Sequence, residues 1–197
     1  MARKITLLAA VTLSVLIVPV APSQAEVAAQ SDAGFVVKLT AETTAPQDAT
    51  WRMLIAPAKW WSSDHTLSHE AANLYLDAQA SGCFCEKLPK SADAPAGERL
   101  GSVEHMHVIF ADPRRGILRM SGALGPLQGE ALNGTLTFTL VKTESGTRID
   151  LEYVVGGYMR LKSEEIASAV DAMLGQQLAS LAAALNAAAP SSPTAPG

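Results

Sequence analysis

Ser163 to Ala187 reads SEEIASAVDAMLGQQLASLAAALNA, and this stretch decides the fold. Its large apolar residues are Ile166, Val170, Met173, Leu174, Leu178, Leu181 and Leu185. The spacing repeats every three or four residues, so all seven fall in one stripe of an α-helix. Ser163 suits the N-cap, and Glu164 and Glu165 put negative charge where the helix dipole favours it. Ala and Gln, both good helix formers, fill the positions between. A stripe this long must be covered by the rest of the chain.

The preceding segments supply that cover as strands. Arg148 to Val155 is expected as the last strand, and Gly156-Gly157 frees the backbone to enter the helix. Leu136, Phe138 and Leu140 alternate with Thr in the strand before it. Ile117 to Ser121, Ser102 to Ala111, Cys83 to Leu88 and Asn73 to Gln79 read as further strands. Ser81-Gly82, Asp112 to Gly116 and Glu144-Ser145-Gly146 mark the turns between strands. Phe35 to Thr43 is strand one, with Phe35, Val37 and Leu39 on one side. Pro46 opens a short helix through Ile55, and Pro57 stops it. Lys59, Trp60 and Trp61 lie on a second short helix or turn. Consecutive hairpins imply an antiparallel meander. The fold class is therefore α+β: a curved antiparallel sheet of six to seven strands around a long C-terminal helix, with two short helices after strand one.

The first 25 residues read as a secretory signal peptide. Arg3 and Lys4 precede an apolar run from Ile5 to Val20, and Ser23-Gln24-Ala25 offers small residues for cleavage after Ala25. The expected division is signal peptide 1–25, flexible lead-in 26–33, folded domain 34–188 and disordered tail 189–197. The protein is expected in the periplasm or secreted, with no membrane span after signal removal. The 197-residue chain carries a net charge of -4. That balance, without a Lys/Arg stripe, gives no electrostatic footprint for nucleic acid.

Several residues could carry chemistry. Trp60 and Trp61 suit either the core or a cavity mouth. His65 and His69 are four apart, with Asp64 able to orient an imidazole. Cys83 and Cys85 alternate on a strand, as do His105 and His107. If the strands align, the four make a Cys2His2 set suited to zinc; the alternative is small buried cysteines and no metal. Bridging Cys83 to Cys85 calls for distorted geometry, so a disulfide is open but is not the first expectation. Glu86 falls on the face opposite the cysteines, beside Phe84. In apolar surroundings its pKa would rise and suit it to acid–base work, with an ion pair to Arg119 as the bland alternative. Gly122 to Gln128 lacks the Gly-Lys-Ser/Thr ending of a phosphate loop and reads as a loop over the open end of a cavity. Nothing in the sequence calls for a cofactor.

Trp51, Leu54, Pro57 and Trp60 form a W-x-x-L-x-x-P-x-x-W opening. With Gly146 to Leu151 and the closing helix, it resembles the START-like superfamily, also called SRPBCC or helix-grip. The stretches Gly82 to Glu86 (GCFCE) and Gly122 to Gln128 (GALGPLQ) are similar to those of small exported bacterial members. The resemblance spans nearly the whole chain after the signal peptide. It implies a deep apolar cavity between sheet and helix, holding a hydrophobic, lipid- or polyketide-like ligand. Candidate lining residues are Trp51, Trp60, Trp61, Phe84, Met106, Phe110, Leu124 and Met173. The superfamily also holds cyclase- and dehydratase-like enzymes, for which Glu86, His65 or His105 would be the acid or base. Co-chaperone members make a protein partner the third expectation. Fold alone does not choose among them.

Overall fold

A computed structural model describes residues 26–188. The signal peptide and the tail expected at 1–25 and 189–197 lie outside them. Chain order is β1 (Glu26–Ser31), β2 (Gly34–Thr43), α1 (Gln47–Leu54), β3 (Leu74–Leu76), β4 (Cys83–Leu88), β5 (Gly101–Asp112), β6 (Ile117–Gly122), β7 (Ala131–Thr143), β8 (Gly146–Tyr158) and α2 (Ser163–Ala188). The strands form one antiparallel sheet in the order β1-β2-β8-β7-β6-β5-β4-β3. The meander from β3 to β8 is the one the hairpin turns imply, and β2 closes against β8.

The segment expected as a flexible lead-in forms β1, which pairs with β2 from Glu26 to Ser31. The backbone groups on its β2 side pair in the ladder, which offsets its weak composition. Only one α-helix, α1, lies between β2 and β3. The chain from Pro57 to Asn73 makes three 3-10 turns instead of a second helix. Their short reach lets the segment wrap across the open half of the sheet.

The core lies between α2 and the concave face. α2 packs chiefly on β2 and β1. Leu174, Leu178, Leu181 and Leu185 are all buried beneath it. Each such side chain contributes roughly 1.5–3 kcal/mol relative to exposure. Truncating one, as in Leu178→Ala, costs roughly 2–5 kcal/mol because the walls only partly collapse. On the sheet side the core includes Val37 and Leu39 of β2 and Ile149 and Leu151 of β8, whose alternation with less buried neighbours follows the pleat.

α2 thus covers one half of the sheet closely. Over β4 and β5 the cover comes from the Pro57–Asn73 segment and from a 3-10 turn at Gly125–Gly129. The space left there is the candidate site.

Candidate functional site

β5 is irregular, and its irregularities build the site. Phe84 pairs with Met106, but Cys85 pairs with Glu104, so His105 is an extra residue on β5. A bulge of this kind re-aims side chains. His105 and Met106 both turn inward and are buried, while His107 and Glu104 face solvent. A second bulge lies between Val108 and Phe110. It sends Ala111 inward opposite Leu118 and leaves Phe110 on the outer face opposite Arg119, beneath the Arg115 guanidinium.

Glu86 points inward from β4 and is fully buried. Its Oε2 lies 2.9 Å from His105 Nε2, and the ring N–H donates to the carboxylate. The backbone N–H of Leu67 donates to the same oxygen at 3.1 Å, and that of Ser68 donates to Oε1. Burial pushes the Glu86 carboxyl up. The hydrogen bonds from Ser68, Leu67 and His105 outweigh it and hold the group below the ordinary glutamate range. The raised value expected from sequence is therefore reversed: the surroundings are apolar in composition, but three donors converge on the carboxylate. Arg119 is not its partner; it is exposed and bonds Thr137.

The His105 ring lies against Phe84, with centroids 5.1 Å apart, and Phe84 meets Trp61 edge-on at 5.2 Å. These three rings form one wall of a cavity of about 280 Å³. The opposite wall is Ile166, Ala169, Val170 and Met173 of α2. Leu124, Gly125, Pro126 and Leu127 close one side, and Asp64, His65, Thr66 and Leu67 form the rim on the other. Apolar side chains dominate, and the imidazole backed by a buried carboxylate is the principal polar feature of the wall.

The Gly122–Gly129 segment covers the cavity as the sequence implies, and it is fastened. Tyr153, buried on β8, donates its O–H to Gly122 O at 3.2 Å and accepts from Leu124 N–H at 3.3 Å. Burial pushes the Tyr153 phenol up to about 12. Gly134 sits against its ring so closely that a Cβ there would overlap it. Gln128 bonds Glu104 O at 2.9 Å, and Arg160 forks onto Glu130 beyond the turn.

Of the eight lining residues expected from sequence, Trp61, Phe84, Leu124 and Met173 line the cavity. Trp51 and Met106 are buried in the core instead. Trp60 turns its indole N–H to Met53 O at 2.9 Å and packs in a deeper apolar crevice. Phe110 faces outward because of the bulge between Val108 and Phe110. His65 reaches the rim, its Nε2 3.0 Å from Gln176 Oε1 on α2. His69 is exposed in the left-handed region (φ 58°), so it shares no helix face with His65.

Cys83 and Cys85 are joined in a disulfide, one of the states the sequence leaves open. Their Cα atoms are 5.4 Å apart, which is within ordinary disulfide reach. The Cys2His2 set does not assemble, because the bulge sends His105 to the opposite face from Cys83, Cys85 and His107. The lining residues Ile166, Ala169 and Val170 were missed. A stripe that packs on sheet at one flank and a cavity at the other has the same period throughout.

The architecture is helix-grip-like: an antiparallel sheet holding one long C-terminal helix. Solved structures share this fold. Protein MLL2253 from Mesorhizobium loti aligns over 78% of this chain and 98% of its own, at 19% identity and a TM-score of 0.53. SA2116 from Staphylococcus aureus, a protein of unknown function, aligns over 79% and 96% at 12% identity and a TM-score of 0.54. NE0264 from Nitrosomonas europaea aligns over 81% and 97% at 16% identity and a TM-score of 0.51. At these identities the likeness is one of fold. No family model and no curated protein matches the chain.

Proposed function

We propose that this chain is an exported START-like (SRPBCC) domain that holds a small hydrophobic ligand between its sheet and α2. The observation that carries this reading is the apolar cavity of about 280 Å³ with His105 in its wall. Its size falls near the lower end of ordinary small-molecule sites, which supports a compact ligand over a two-chain lipid. The chemistry favours a mostly apolar body bearing one hydrogen-bonding group that meets the imidazole. Export rests on the N-terminal sequence, with the mature protein in the periplasm or outside the cell. No helix among the described residues is long and apolar enough to cross a membrane.

Native mass spectrometry of the protein purified from its own cells, followed by organic extraction, tests the carrier reading. A bound apolar molecule of modest mass is expected. A ligand-free mass from freshly isolated protein counts against tight carriage.

The Glu86–His105 pair favours a second reading, an acid–base enzyme of the cyclase or dehydratase kind. A carboxylate that fixes one imidazole nitrogen leaves the other to move a proton on a bound substrate. Glu86→Gln separates the two. A carrier keeps its ligand affinity within a few-fold, whereas an enzyme loses turnover by about 10²-fold or more while still binding.

A further inference from the structure

The outer face of β4 and β5 carries a second cluster that the cavity does not use. Cys83 stands opposite His107, and Cys85 stands opposite Glu104. The bulge that turns His105 inward is also what brings Glu104 beside Cys85. The two sulfurs and a Glu104 carboxylate oxygen lie within 4.8 Å of one another. His107 Nδ1 is 3.4 Å from Glu104 Oε1. Two sulfurs and a carboxylate thus converge from neighbouring positions on two strands, and the His107 imidazole stands beside the carboxylate.

The disulfide linking those sulfurs spans a sequence separation of 2. Stabilisation by a cross-link grows with the loop it closes, so this one is close to the minimum. β3 and β5 already hold β4 from both sides. As a staple the bond adds little; as a two-electron switch it controls whether two thiolates exist.

We propose that reduction of the Cys83–Cys85 bond opens a four-ligand site for a thiophilic divalent cation of the zinc type, made by Cys83, Cys85, Glu104 and His107. A dithiol reductant supplies the step. It gives up two electrons and two protons as its own S–S bond forms, and the Cys83–Cys85 bond becomes two thiols. Metal binding then releases the two thiol protons as the thiolates coordinate. Zinc bonds sulfur at about 2.3 Å and nitrogen or oxygen at about 2.0 Å, so a tetrahedral site sets its ligands about 3.3–3.8 Å apart. The His107–Glu104 separation already falls there. Both of these side chains are about half exposed, at 46% and 55%, so a cation reaches them from solvent without entering the cavity. In the oxidised state the strongest ligands are bonded to each other and the site is closed.

The test is an anaerobic cobalt(II) titration of the purified protein, oxidised and then reduced with a phosphine that is removed before metal is added. The reduced protein is expected to take up one cobalt with a thiolate-to-metal charge-transfer band that zinc displaces, and the oxidised protein to show none. Glu104→Gln and His107→Ala, both at exposed positions that leave folding intact, are each expected to weaken binding by about tenfold or more. Absence of the band in reduced protein overturns the proposal. Unchanged cobalt affinity in both variants overturns it equally, because two thiolates alone would then account for the binding.

Discussion

Glu86 and His105 sit on neighbouring strands with Oε2 and Nε2 2.9 Å apart, both side chains turned into the fold. Neither would meet the other on a regular ladder, where Cys85 and Glu86 would continue opposite His105 and Glu104. The extra residue at His105 brings the ring beside the carboxylate. Glu86 is also the acceptor for Leu67 and Ser68, so one side chain ties β4, β5 and the cavity rim together. Glu86→Ala is expected to cost about 3 kcal/mol, because it leaves buried donors unpaired. Glu86→Gln, which keeps the shape but loses the charge, is expected to cost about 1–2 kcal/mol. Urea denaturation measures both. A loss below about 0.5 kcal/mol for the Ala variant would mean the pair is not held as described.

The same carboxylate sets an acid limit. Its folded-state value lies below the ordinary 4.5, so between the two values the unfolded chain binds the extra proton. Stability from Glu86 is therefore full above pH 4.5 and is lost as pH falls through the lowered folded-state value. In Glu86→Gln the acid limb of the stability–pH curve should be shallower than in the wild type. Parallel acid limbs would place the titrating group elsewhere.

Tyr153 fastens the cavity cover through two hydrogen bonds made by its hydroxyl. Tyr153→Phe keeps the ring and removes both, at an expected cost of about 1–2 kcal/mol. Amide hydrogen exchange should speed up from Gly122 to Gly129 before it changes in β7 or β8. Exchange that rises uniformly across the sheet would show that the hydroxyl supports the core and not the cover.

Ala169 is an exposed small residue on the α2 wall of the cavity. Ala169→Trp should fill the space while leaving the Leu174–Leu185 stripe untouched. Binding of an environment-sensitive apolar fluorophore is expected to fall tenfold or more, with stability changed by less than about 1 kcal/mol. A variant that binds the fluorophore like the wild type would put its site outside the cavity.

Much of the fold was legible because periodicity reports it. The α2 stripe, the alternation in β2, β7 and β8, and the turns at Ser81-Gly82 and Glu144 to Gly146 all survive in the structure. β1 was not legible, since Glu-Val-Ala-Ala-Gln-Ser has no apolar face to announce a strand. The site was half legible. Glu86 and Phe84 fall inward as parity on β4 requires, and Gly122 to Gln128 covers the cavity. His105 and Phe110 were misplaced for one cause. A bulge inserts a residue without changing the types around it, so β5 reads as a regular strand while its parity flips twice. The same bulge puts Glu104, and not His105, beside Cys85 on the outer face.

Under the proposed function, a small apolar molecule binds in the cavity bounded by α2, Phe84, His105 and the Gly122–Gly129 cover. Methyl-labelled NMR against a library of compact apolar compounds, each bearing one polar group, tests it most directly. Shifts are expected only at Leu124, Leu127, Ile166, Val170 and Met173, and are lost in Ala169→Trp. Hits that shift none of these methyls, or that persist unchanged in Ala169→Trp, would contradict it.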